Sequence, residues 1–422
     1  MNARLRLTCL VLGVAACAAL VVPVAGKLAS EWWTGVAALV LAASTFVAGP
    51  WRALRARPIA SWAFALVTTT LALGAWTCVA QPAWGKAMTR AELGMLAGVL
   101  VVALAPFTAR LDDGARAAQR DRLRRNPAAR ALLACTTFVA AFFTLECVLR
   151  VGFVQSDGFA VTAMHRAWMA AHWKPINSLR YRDREPVDAP GVKRVLVVGD
   201  SFAAGHGLDE LDDSFARVLE RGLGAGWAVN LAARPGWSTD AEYAALVRYP
   251  VKPDVVVLSY YINDMSYLLP KDGDDFRAPP AGLAWFANGF FATSYLYWHT
   301  LQGGMERVHE KYAHQRLAEY EDEVLWTRHA QDLDRFVELT RQGNVRLVVL
   351  VWPRLDAVES SRASTKKVAD HFRARGVAVV DLTDELAGKD ARSLVVNKLD
   401  AHPNAATHRL AGERLVPIVR AP

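Results

Sequence analysis

Lys193 to Asp209, KRVLVVGDSFAAGHGLD, confines the fold of this chain more tightly than any other stretch. Val195 to Val198 form a continuous apolar run, bounded by charge on one side and by Gly199 on the other. Such a run reads as a strand buried on both faces, the environment of a parallel sheet. Asp200 and Ser201 follow at its carboxyl end. Ligands bind at that end of an open parallel sheet, and a serine on a tight strand-to-helix turn presents its hydroxyl free of its own backbone. Ser201 is therefore a candidate nucleophile. Asp and Ser are also favoured in turns and caps, and on this stretch alone a polar turn explains them equally well. The stretch has no Gly-Lys-Ser/Thr for a phosphate loop, and Gly199, Gly205 and Gly207 lack the G-x-G-x-x-G spacing of a dinucleotide loop.

Downstream, strand and helix patterns alternate. Periodicity predicts strands over 194–198, 228–231, 255–260, 346–351 and 377–382, with helices over 214–223, 239–247, 320–342, 363–375 and 405–419. Alternation of this kind predicts an α/β domain whose parallel sheet is covered on both faces and joined by right-handed crossovers. The segment 177–185, NSLRYRDRE, reads as an extended element at the sheet edge.

The first 152 residues are different in kind. The chain has 422 residues, 53% of them hydrophobic, which is more apolar than one soluble domain requires and points to a membrane part joined to a globular one. Five apolar stretches, near 7–24, 32–48, 61–80, 93–107 and 131–151, have about the length that crosses a hydrocarbon core as a helix. Arginines cluster before the first, between the second and third, and between the fourth and fifth, placing those loops inside and everything after Gly152 outside. A cleaved signal peptide at the first stretch leaves that orientation unchanged. Through Gly152 there are 16 Lys+Arg against 6 Asp+Glu, leaving 33 against 35, so the basic character belongs to the membrane half and gives no reason to expect a nucleic acid partner. All five cysteines lie in the same half, so the globular half has no thiol for a disulfide or thiolate metal site. The expected organisation is a transmembrane region at 1–152, a connecting segment at 153–192, and an α/β domain at 193–422 with an insertion at about 266–325. Within that insertion the aromatic segment 283–301 reads as packing over the domain or resting on the bilayer, since a sixth crossing would separate Ser201 from His402.

Four short blocks at element ends carry residues of kinds that can bear chemistry: Ser201 in GDSF, Gly236 in NLAARPGWST, Asn263 in YYINDM, and Asp400 and His402 in LDAHPN. A serine hydroxyl needs a base within reach to take its proton, and histidine titrates near neutrality. An acid beside that histidine holds its tautomer and stabilises the imidazolium, and donors are needed where the oxyanion forms. Singly, each block reads as readily as a turn or a helix start.

In order, each after a predicted strand, they resemble the SGNH hydrolases, the GDSL-like serine esterase superfamily. The resemblance covers roughly Lys193 to the C-terminus and implies a flavodoxin-like three-layer α/β/α fold. It implies Ser201 as nucleophile, His402 as base, Asp400 as acid, and an oxyanion hole from the Ser201 and Gly236 amides with the Asn263 side chain. Two positions depart from the family pattern: the acid stands two residues before the histidine, with Leu399 at the usual place, and Tyr261 stands where the third block usually has glycine. Together with the spans and their orientation, the resemblance implies an esterase anchored in the inner membrane, with its catalytic domain outside the cytoplasm, cleaving acyl and foremost acetyl esters, including those of acylated glycans. An O-acyltransferase serving an envelope polysaccharide machinery, and a non-catalytic binding module, are the alternatives. His206 and His408 lack an adjacent acid in sequence and read as structural. No His, Asp and Glu cluster has metal-ligand spacing, so neither metal nor cofactor is expected.

Overall fold

The computed structural model describes residues 152–268, 279, 283–301 and 304–421, with scattered positions from 117 to 149. The first four apolar stretches lie outside the described residues, and the fifth is represented only at scattered positions. Among the described residues no helix is long and apolar enough to cross a membrane. The segment 283–301 forms two six-residue helices, Ala284–Gly289 and Phe291–Leu296, and a short π turn. Gln155–Gly289 and Thr293–Pro422 belong to one compact unit, which carries the sheet.

Five parallel strands form that sheet: β1 (Lys193–Gly199), β2 (Trp227–Ala233), β3 (Val255–Tyr260), β4 (Arg346–Val351) and β5 (Ala378–Asp381). Their spatial order is β2-β1-β3-β4-β5, so the chain reverses its direction of growth between β1 and β3. Successive side chains of a strand point to opposite faces, and β1 shows why an unbroken apolar run was needed. Val195 and Val197 enter one core with Phe215 and Leu219 of α2 (Phe215–Leu223) and Leu415 of α7 (Ala405–Arg420). Leu196 and Val198 enter the other, with Leu246 of α3 (Thr239–Arg248), Phe336 of α5 (Glu323–Gln342) and Phe372 of α6 (Arg362–Arg373). All four β1 residues are essentially inaccessible, and each such burial is worth about 1.5–3 kcal/mol. Two further helices, α1 (Ala163–His172) and α4 (Met305–Glu319), precede and interrupt the series.

Three expectations are corrected. The helix expected from Tyr320 begins at Glu323, because Asp322 caps it by accepting the amides of Val324 and Leu325. Tyr320 instead ends the preceding turn, with its hydroxyl 2.7 Å from that of Tyr260. The segment 177–185 does lie along the outer edge of β2, but by side chains and not as a strand: Asp183 accepts the amide of Leu231 at 2.8 Å and the side-chain amide of Asn230 at 3.0 Å, covering an edge that would otherwise be open. Finally, Asp400 and His402 are on a strand. β6 (Val395–Asn397) and β7 (Asp400–Pro403) form a small antiparallel hairpin just before α7.

Candidate active site

Ser201 follows β1 on a series of hydrogen-bonded turns rather than directly at a helix. Asp200 holds the turn, its carboxylate accepting the amide of Phe202 at 2.8 Å and its carbonyl that of Ala204 at 3.0 Å. Burial pushes the Asp200 carboxyl above its ordinary range, against the Phe202 amide, which favours the ionised form. Gly207, at φ +88°, lets the turn lie against the hairpin: a Cβ there would stand 2.9 Å from Asp400 Oδ2.

On β7, residues 400 and 402 share a face because strand side chains repeat every second residue. Hence an acid two positions before the histidine reaches its ring where the backbone is extended. Asp400 Oδ1 accepts from His402 Nδ1 at 2.5 Å, which leaves Nε2 to accept the Ser201 hydroxyl at 2.8 Å. For Asp400, burial would raise the pKa, but the charge that His402 carries when protonated and the hydrogen bond from it outweigh that effect, holding the carboxyl far below its usual range. The Ser201 hydroxyl also lies 3.3 Å from Asp200 Oδ2, a longer contact than that to His402.

Gly236 has φ +78° and open space where a Cβ would stand, on the wall of the cleft that contains Ser201. Among the described residues no backbone partner occupies the amide of Ser201 or of Gly236. Asn263 lines the same cleft, its amide nitrogen reaching the Trp237 carbonyl only at 3.5 Å. The structure thus brings together Ser201, Gly236, Asn263, Asp400 and His402, the whole set expected from sequence.

The cleft encloses about 320 Å³. Tyr261 lies face to face on Phe202, ring centroids 3.9 Å apart, and both line the cleft beside Ser201. Phe159, His309 and Tyr312 form another part of its wall, with Arg354 and Asp356 nearby. Arg354 is almost wholly buried and pairs with Asp356 at 2.7 Å and with Glu310. Phe159, His309, Tyr312, Arg354 and Asp356 were not legible as site residues, because each comes from an element remote in sequence from the four blocks.

The structure places His206 beside the site. It lacks an acid beside it in sequence, yet its Nε2 is 3.6 Å from Asp400 Oδ2 and its ring lies on that of His402. His408 is a core residue, accepting the Phe215 amide at 3.2 Å, with burial pushing it down to about 3. Although no sequence spacing suggested it, His206, Asp400 and His402 bring potential ligand atoms within 4.8 Å of one another. A cation there would have to displace the Asp400–His402 and His402–Ser201 hydrogen bonds, so the group fits a proton relay better than a metal.

Residues 197–410 match the model of the GDSL-like lipase/acylhydrolase family. The chain belongs to this family. As a member of the GDSL family it is, at the level of class, a hydrolase of acyl esters. Similar solved structures include a lipase/acylhydrolase from Enterococcus faecalis, 14% identical, covering 54% of this chain and 95% of that one, with a TM-score of 0.35. Another is a member of the lipolytic protein G-D-S-L family from Veillonella parvula DSM 2008, at 11% identity, 55% and 100% coverage and a TM-score of 0.33. A third is Est24, a carbohydrate acetylesterase from Sinorhizobium meliloti, at 15%, 54% and 98%, with a TM-score of 0.31. No curated protein matches the chain.

Proposed function

We propose that this GDSL-family protein is a serine esterase that removes acyl groups, foremost acetyl, through an acyl-Ser201 intermediate. The observation that carries the reading is the continuous relay from Ser201 through His402 to Asp400, at 2.8 and 2.5 Å. His402 Nε2 takes the hydroxyl proton as Oγ attacks the ester carbonyl, and Asp400 stabilises the imidazolium. The amides of Ser201 and Gly236 and the Asn263 side chain donate to the oxyanion, each donor worth about 3 kcal/mol. His402 then returns its proton to the departing alcohol, and a water activated by the same base releases the acid. A serine within hydrogen-bond reach of its base weighs against a non-catalytic binding module.

The arginine pattern of the first 152 residues supports anchoring in the inner membrane with Ser201 outside the cytoplasm. The Arg354–Asp356 pair and the Phe159 and Tyr312 rings in the cleft wall favour a hydroxyl-rich carrier such as an acylated glycan. They suit an O-acyltransferase serving an envelope polysaccharide equally well, and assay with and without a carbohydrate acceptor separates the two.

A membrane-impermeant fluorophosphonate applied to intact spheroplasts tests catalysis and location together. Labelling is expected in the wild type and lost in Ser201→Ala and His402→Ala. No labelling of folded wild type in open membranes contradicts the esterase, and labelling only after lysis contradicts the orientation.

A further inference from the structure

We infer that His206 is a positioning residue for the catalytic base, held in place by a segment, Ser156 to His165, that precedes the region matched to the family. The inference rests on the reading of Ser201, His402 and Asp400 as catalytic.

The imidazole rings of His206 and His402 are stacked, 4.3 Å apart at an interplanar angle of 27°. His165 is also stacked with His206, at 5.0 Å and 16°, so His206 has a ring contact with the segment as well as with the catalytic base. His206 Nε2 is 2.8 Å from the Asp157 carbonyl, which only accepts, so that nitrogen carries the proton. His165 Nδ1 accepts the amide of Asp157 at 3.1 Å, fixing that ring by the same residue.

Asp157 is itself rigidly held. Its carboxylate accepts the amides of Phe159 at 2.9 Å, Val161 at 3.1 Å and Thr162 at 2.8 Å. The segment is also tied to the β6–β7 hairpin, the Gly158 amide donating to the Leu399 carbonyl at 2.9 Å and Asn397 Nδ2 to the Ser156 carbonyl at 3.2 Å. A closed circuit therefore runs from the hairpin that carries His402, through the segment, to the ring that supports His402.

Charge suits this role. The titratable groups facing His206 are His402 and Asp400 of the hairpin and His165 of the segment, while Asp157 meets it through a backbone carbonyl. Burial, and then the charge of His402, push His206 down to about 3, so it stays neutral while His402 cycles. A neutral ring offers its π face to the imidazolium that forms when Ser201 gives up its proton, and puts no second cation beside it.

The test is steady-state hydrolysis of p-nitrophenyl acetate by the full chain in detergent, with melting temperatures measured in parallel. His206→Ala is expected to lose about ten- to a hundredfold in kcat, as removal of outer-shell partners commonly does, with KM within about twofold. His206→Phe, which restores a flat neutral ring, recovers most of that loss. A folded H206A with wild-type kcat overturns the inference, as does a loss confined to KM. If H206A does not fold, His165→Ala decides, with a drop of roughly three- to tenfold in kcat at unchanged KM expected and an unchanged kcat overturning. A wild type that neither hydrolyses the ester nor reacts with a fluorophosphonate contradicts the catalytic reading itself, before any variant is compared.

Discussion

Tyr261 and Phe202 set the width of the cleft beside Ser201. Their stacked rings lie beside Ser201 in a cleft of about 320 Å³, so space near the carbonyl is short. Tyr261→Ala is predicted to raise kcat/KM for an octanoyl ester relative to the acetyl ester by about tenfold, since each methylene a pocket can bury is worth about 1–3 kcal/mol. An unchanged ratio would mean that Tyr261 does not limit the acyl chain. Ser201, Gly236, Asn263 and His402 were legible in sequence because their four blocks occur in order and together resemble a known family, although each block alone reads as a turn or a helix start. Asp400 was legible as a residue, while the reason its spacing works, the extended backbone of β7, was not. His206 was in view but set aside, because its acid comes from the far end of the domain and sequence proximity could not supply it.

At the scale of elements, the strands were readable because burial on both faces leaves an unbroken apolar run, and β3 and β4 have the expected bounds. The β6–β7 hairpin was not readable, since two short strands of mixed polarity carry no period. Helix α3 carries a testable anomaly. Its Glu242 is fully buried, with neither carboxylate oxygen hydrogen-bonded among the described residues. Burial, and then the charges of Asp200 and Asp240, hold its pKa well above the ordinary range. The folded state thus keeps a proton that the unfolded chain releases. This contribution to stability is present below the unfolded pKa and is lost as pH rises toward the folded one. Glu242→Gln should therefore raise the melting temperature more at about pH 8 than at about pH 5, by a few degrees for each kcal/mol. An equal shift at both pH values would show that Glu242 is ionised in the fold.

For the whole molecule, the family-matched region of 197–410 is smaller than the structure that surrounds Ser201. Phe159 lines the cleft, Asp157 supports His206, and Asp183 covers the sheet edge, all upstream of the match. The switch in sheet order between β1 and β3 puts Ser201 and Asn263 at the carboxyl ends of adjacent strands, where such folds bind ligands. The hairpin before α7 then brings His402 back to them. The most direct test of the central claim is peptide mass spectrometry of the protein quenched in acid during turnover of p-nitrophenyl acetate. The account predicts one acetyl group on the peptide containing Ser201, absent from Ser201→Ala. Ester hydrolysis that continues unchanged in S201A, with no adduct on that peptide in the wild type, would contradict it.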